Sequence, residues 1–148
     1  NIMMNGITLT QLFKSCKKTD MKYKLSAGIM IGKHIVPNSV SCNSDRTFIH
    51  GELFHSKHAE HGALLYLKNK KVRKNIKLIV IRIDSSGKLV NSTPCENCIH
   101  RIRSAGITKV IYVNENDKLI EEKIEQIKFL PSDKKGVTQW FNRVKYNN

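Results

Sequence analysis

The stretch Thr93-Pro94-Cys95-Glu96-Asn97-Cys98 constrains this chain more than any other. It reads as the start of a helix with two sulfurs on one face. Thr93 suits the N-cap, Pro94 the first helical position, and Glu96 would close a Thr-x-x-Glu capping box. Cys95 and Cys98, three apart, then point the same way. A helix N-terminus lowers a cysteine's pKa, and metals bind the thiolate rather than the thiol. Two thiolates leave a metal site incomplete, so another segment must add a nitrogen or a third sulfur. His58-Ala59-Glu60 offers the nitrogen.

Composition bounds the rest. With 148 residues, 40% of them hydrophobic, the chain is expected to form a single domain over 1–148 with its own core. No apolar run approaches a membrane span and no secretory leader opens the chain, so a cytoplasmic protein without a membrane partner is expected. The chain begins with Asn, and Met3 and Met4 are alternative starts. Of the four cysteines, two have ligand spacing, which favours metal over disulfides; Cys16 and Cys42 read as buried free thiols. The net charge of +14 attracts anions. Its lysines are spread along the chain, and the densest cluster, Lys68 to Lys74, reads equally as a solvated helix end or a binding patch. An affinity for anionic substrates, free nucleotides included, is what the charge supports.

The periodicity predicts a helix over Ile7 to Lys18, then a strand from Leu25 to Ile31. The chain turns at Gly32-Lys33 and returns from His34 to Cys42, where Pro37 marks an edge strand. Asn43 to Lys57 reads as a polar loop ending at a Ser56 cap. The helix from His58 to Lys70 follows, with Leu64, Leu65 and Leu67 available to a core. Ile76 to Ile83 has the β-branched, nearly unbroken apolar character of a buried central strand. Asp84 to Gly87 is a turn, the Cys95 helix stops near Gly106, and Ile107 to Val113 is another strand. Asn114 to Asp117 has hairpin chemistry, which would make Leu119 to Ile124 an antiparallel last strand. The spacing of Ile120, Ile124 and Ile127 suits a helix as well; dense Asn/Asp turn chemistry favours the hairpin. A final helix over Val137 to Lys145 would pack through Trp140 and Phe141. The expected fold class is α/β, in three α/β/α layers around a mixed, mostly parallel five-stranded sheet with an antiparallel N-terminal edge hairpin.

His-x-Glu followed by Pro-Cys-x-x-Cys resembles the signature of the zinc-dependent cytidine/deoxycytidylate deaminase superfamily. His-x-Glu alone recurs by chance, whereas Pro-Cys-x-x-Cys is rare and rarer still after His-x-Glu in this order. The resemblance implies a cytidine-deaminase-like fold and a Zn2+ cofactor held by His58, Cys95 and Cys98. Three protein ligands suit a catalytic zinc, which keeps a position for water and lowers its pKa from 15.7 to about 7. Glu60 is then the catalytic proton shuttle, base and acid in turn. Asn43 fits the place of an Asn that contacts the sugar, and Ala59 and Thr93 join it as substrate-contacting residues. Arg103 to Tyr112 is similar to the stretch after the cysteine helix in cytidine and deoxycytidylate deaminases, so the likeness runs from about Leu25 to Leu130.

The first ligand departs from the small tetrameric cytidine deaminases, which usually have Cys there. His is shared with deoxycytidylate, guanine, tRNA adenosine and polynucleotide cytidine deaminases, while a short hairpin ending points to the free-nucleoside class. The favoured function is hydrolytic deamination of a free cytosine nucleoside or nucleotide, with release of ammonia. The alternatives are a polynucleotide base deaminase and an inactive zinc-stabilised binding protein. Nucleic acid is the less favoured partner, because no aromatic-and-basic strand-binding insertion is evident. A homo-oligomer is expected. His61 is a competing ligand or, preferably, a supporting or surface residue; His50 and His55 are candidates for the mouth of the site. Glu96 has no chemistry beyond its cap.

Overall fold

The run Ile-Lys-Leu-Ile-Val-Ile-Arg-Ile forms the strand from which the sheet grows. The computed structural model describes residues 6–19, 21–44, 47–49, 52–54, 58–68, 70 and 75–128. Its helices are α1 (Gly6–Cys16), α2 (Ala59–Leu65) and α3 (Glu96–Ser104). The strands are β1 (Lys24–Ile31), β2 (His34–Ile35), β3 (Ser41–Cys42), β4 (Thr47–Ile49), β5 (Glu52–Phe54), β6 (Ile76–Ile83), β7 (Leu89–Val90), β8 (Lys109–Val113) and β9 (Leu119–Lys123).

The main sheet runs β2-β1-β6-β8-β9, with β3 also on β1 and β7 also on β6. The mixed, helix-covered sheet is the one expected, but its balance is not mostly parallel. Among the described strands only β6 and β8 pair in parallel, and all other pairings are antiparallel. Side chains alternate across it. Leu78 and Val80 of β6 join Ala27, Ile29, Val110 and Tyr112 beneath α2 and α3. Ile79, Ile81 and Ile83 join Met30 and Ile111 beneath Leu12 and Cys16 of α1. Each such isoleucine removed from water contributes about 1.5–3 kcal/mol, and the two clusters give the three layers.

Pro37 divides the returning edge strand into β2 and β3, separated by a 3-10 turn at Pro37–Ser39. Proline has no N–H for the ladder, and a serine takes over. Ser39 Oγ accepts from Ile29 N at 2.8 Å and donates to Val36 O at 2.6 Å. The return presses so closely on β1 that a Cβ on Gly28 would lie 2.5 Å from Ile35 Cδ1.

The Asn43 to Lys57 segment is not simply a loop, since β4 and β5 pair as a small antiparallel ribbon. Helix α2 is shorter than expected. It ends at Leu65 and tightens into i→i+3 bonds, such as Leu67 N to Leu64 O at 3.0 Å. Leu64 and Leu67 are buried but Leu65 is exposed. The last strand is antiparallel as favoured, with β9 on β8; just beyond it Ile124, in a 3-10 turn over Ile124–Gln126, and Ile127, which follows that turn, are both buried. Ser56, His50, His55, most of the Lys68 to Lys74 cluster and the expected helix at Val137 to Lys145 lie outside the described residues. No described helix is long and apolar enough to cross a membrane.

Candidate active site

Two helices begin at the same end of the sheet. β6 and β8 run parallel, and α3 starts after the chain leaves the carboxyl end of β6. Helix α2 leads back to the start of β6, so its own start lies at that carboxyl end too. In open α/β sheets this is the end where ligands bind. A serine that the sequence reading passed over fixes the geometry. Ser92 is buried, donates from Oγ to Val80 O and accepts from Val113 N, both at 2.8 Å. Its own N–H donates to Val113 O at 2.8 Å. Ser92 thus wedges between β6 and β8 where their ladder has ended, and delivers the next residues to the site.

The helix does not begin where the sequence suggested. Cys95, not Thr93, is the N-cap of α3, with no side-chain capping bond, so the Thr93–Glu96 box is not formed. Thr93 is engaged elsewhere: its N–H and its hydroxyl both donate to Asn91 Oδ1, at 2.9 and 2.5 Å. The Asx turn takes the cap residue away, and Pro94 then sits ahead of the helix. Glu96 is exposed in the first turn. The two sulfurs still converge, from the N-cap and the first turn.

His58 is in turn the N-cap of α2, with extended backbone (φ −79°, ψ 146°). Its Nδ1 lies 3.2 Å from Cys98 Sγ and 3.7 Å from Cys95 Sγ. One donor atom from each of His58, Cys95 and Cys98 falls within 4.8 Å of the others, the only such cluster among the described residues. The three expected ligands are therefore together.

The electrostatics fit a metal. Cys95 is pulled down to about 4, first by a hydrogen bond from Cys98 and further by His58. Burial pushes Cys98 the other way, well above an ordinary thiol. A divalent cation placed among these donors would hold both sulfurs as thiolates. Nitrogen and sulfur donors of this kind suit zinc.

Glu60 is buried, with 3% exposure, and burial raises its pKa; neighbouring Cys95 adds to the rise while His58 opposes it. Its Oε1 is enclosed and has no hydrogen-bond partner among the described residues. That is costly for a spectator carboxylate and suits a group that takes and gives up a proton. His61 is fully buried rather than on the surface. Its Nε2 is 3.5 Å from Cys98 Sγ, and its ring stacks on His58 with centroids 5.5 Å apart. It braces the ligands from behind.

Ala59 is fully buried between His58 and Glu60, and Thr93 is half-buried beside the cysteine turn. Thr93 also lines a cavity of about 320 Å³ with Asn91, Tyr112 and Glu122. Asn43 is buried and tied into the fold. Oδ1 accepts from Leu25 N at 3.0 Å, while Nδ2 donates to Tyr23 O at 2.6 Å and faces Met21 Sδ at 3.3 Å. It holds the chain entering β1. Cys16 and Cys42 are free thiols on the other face of the sheet; Cys16 is buried and Cys42 only partly so. Ser92 had a faint sequence signal, the turn-forming run Asn91-Ser92-Thr93-Pro94, but no spacing marks a serine that bridges two strands.

No protein-family model matches the sequence, and no curated protein matches it. Among solved structures, it is similar to the crystal structure of cytidine deaminase from Burkholderia pseudomallei. That match has a TM-score of 0.57 at 15% identity, and covers 82% of this chain and 94% of the other. The domain has a cytidine-deaminase-like fold, with a His-Cys-Cys cluster at the carboxyl end of its parallel strands.

Proposed function

We propose that the protein is a zinc-dependent hydrolase that deaminates a free cytosine nucleoside or nucleotide, water and the cytosine ring giving the uracil form and ammonia. The observation that carries this reading is the conjunction of three converging metal donors with a buried carboxylate. Glu60 has a raised pKa and one oxygen, Oε1, with no partner among the described residues. A structural zinc site needs a fourth ligand and no proton shuttle. The likeness in fold supports the reading at the level of architecture.

In this mechanism His58 Nδ1 and the two sulfurs hold the zinc, whose chemistry is to make water a nucleophile at neutral pH. The residues of the chain do the rest. Glu60, two residues after a ligand, accepts the proton of the attacking water on its carboxylate. It passes that proton to the ring nitrogen, then takes the remaining proton of the added hydroxyl and gives it to the leaving amine as the C4=O bond forms. Burial suits both duties, because it brings the carboxyl's pKa toward working pH. His61 keeps the His58 ring and the Cys98 sulfur in place. Thr93 and Ala59 border the substrate, and the Asn43 side chain reaches the sugar by exchanging one of its present bonds. A second copy of the chain in solution belongs to this proposal, and light scattering tests it.

Ammonia release from the zinc-loaded protein tests the reaction, over a panel of nucleosides, nucleotides, free bases and oligonucleotides. Release from a cytosine nucleoside or nucleotide is expected. Release from oligonucleotides alone would make it a polynucleotide deaminase. No release from any of them, with zinc in place, would make it a zinc-stabilised binding protein.

A further inference from the structure

We infer that Arg82 is the recognition group for a phosphate carried by the substrate, so that the site takes a nucleoside monophosphate in preference to the bare nucleoside. The inference rests on the deaminase reading and sharpens its substrate class.

The placement follows from the alternation of β6. Leu78 and Val80 face α2 and α3, and Arg82, two residues further on, faces the same side. It stands near the carboxyl end of β6, the end at which His58, Cys95 and Cys98 converge. Ser92 bonds to Val80 O, two residues back along that strand. Arg82 is paired across the sheet with Leu25 on one side and Val90 on the other. Leu25 itself packs against the cluster beneath α2. The guanidinium therefore stands on the site's face and at the site's end of the sheet.

Its surroundings are those of a cation held ready for an anion. The guanidinium carbon lies 4.4 Å from the centroid of the Tyr23 ring, a cation–π stack that fixes its plane. Lys22 adds a second positive charge, its Nζ 5.7 Å from the same ring. No ion pair among the described residues involves Arg82 or Lys22. The nearby acid in sequence, Asp84, is occupied, its Oδ1 accepting from Ser86 N, Ser86 Oγ and Lys88 N at 2.7 to 2.9 Å. Arg82 is only partly exposed and Tyr23 is 51% exposed, so the planar fork is anchored yet open to solvent. A stacked arginine with no carboxylate partner among the described residues is the group best matched to bidentate phosphate binding. A solvated strand end would be served as well by a free lysine, with no aromatic to hold it.

The test measures binding and turnover of cytidine and of cytidine 5′-monophosphate on the same zinc-loaded protein. Binding is read by calorimetry and turnover by ammonia release. Wild type should favour the monophosphate, and Arg82→Gln should cut the ratio of the two kcat/KM values by about 10–100-fold, the scale of a charge-assisted hydrogen bond. The loss should fall mainly on KM for the monophosphate, with Arg82→Lys restoring part of it and zinc content the same in all three proteins. A wild type that favours cytidine, or a variant that weakens both ligands alike, overturns the inference and leaves the deaminase reading standing. Arg82-dependent binding of the monophosphate without ammonia release supports the phosphate site and overturns the deaminase reading. Binding of neither compound overturns both.

Discussion

Cys16 and Cys98 are the same residue with the same burial, each 0% exposed, on opposite faces of one sheet. Cys16 sits among Leu12, Ile79, Ile81 and Ile83, and its Sγ lies 3.7 Å from Lys24 O. Burial pushes its thiol up to about 12, helped by nearby Cys42 and opposed by Lys24. Cys98 is equally closed to solvent, but an imidazole nitrogen lies at 3.2 Å and a second one at 3.5 Å. Its hydrogen bond to Cys95 brings that partner down to about 4. Burial alone makes a thiol inert. Burial beside other donors, with a charge to be shared, makes a ligand.

The sharpest way to break this comparison is to shorten both cysteines. Cys98→Ala should bind little or no zinc and show no measurable turnover, because the remaining pair cannot complete the site. It should also lose the stabilisation that the metal supplies, about 4 kcal/mol when free zinc is a thousand times its Kd. Plasma emission gives the zinc content and thermal melts with and without added zinc give the stability. A Cys98→Ala protein that kept a full zinc per chain would show that His61 or another donor had been the true ligand.

Glu60→Ala comes next, with a fall in turnover on the order of 10²–10⁴-fold and no loss of zinc. The carboxylate is not among the clustered donors, and Ala is the better helix former. Its Oε1 is buried with no partner among the described residues, so folding stability should hold or rise when it is removed. Loss of zinc in this variant would place Glu60 among the ligands; near-normal turnover would move the proton shuttle elsewhere, with His61 the first suspect. Ser92→Ala is a third and smaller step. Its hydroxyl serves both strands, so its removal leaves a buried N–H and C=O without it and should cost about 1–3 kcal/mol in urea unfolding. Zinc affinity should weaken with it, since the following loop carries Cys95. A stability change without any change in zinc affinity would separate the strand wedge from the site.

What could be read from the sequence divides along the same line as the two cysteines. Chemistry that depends on residue type and short spacing was legible, as with His58, Glu60, Cys95 and Cys98. So was the apolar run of β6. Features decided by competition between local bonds were not. Thr93 has every credential of an N-cap, but Asn91 offers its hydroxyl and its N–H a nearer acceptor, and the cap passes to Cys95. The β4–β5 ribbon was signalled by Thr47-Phe48-Ile49 and Glu52-Leu53-Phe54, two short β-prone runs hidden by their polar surroundings. Strand direction is the least local property of all. Nothing in Leu25 to Ile31 or in Ile76 to Ile83 says that they pair antiparallel; only the chain's route through α2 decides it.

The smallest expected effect is the other half of the comparison. Cys16→Ala removes one buried sulfur from an apolar cluster, which should cost about 1 kcal/mol or somewhat more, at the low end for a large-to-small core change. Zinc content and turnover should match wild type. Its signature lies in pH rather than in size. The folded-state pKa is raised from 9.0 to about 12, so the folded protein holds this proton more tightly than the unfolded chain does. That contribution is fully present below pH 9, and it is lost as pH rises from there toward 12. Urea unfolding at pH 8 and at pH 10.5 should therefore show wild type losing more stability over that interval than Cys16→Ala. The lysines common to both proteins cancel in the difference. Equal losses would mean that Cys16 ionises freely and is not sealed in its cluster. A Cys16→Ala protein that lost zinc would mean that the two faces of the sheet are not independent.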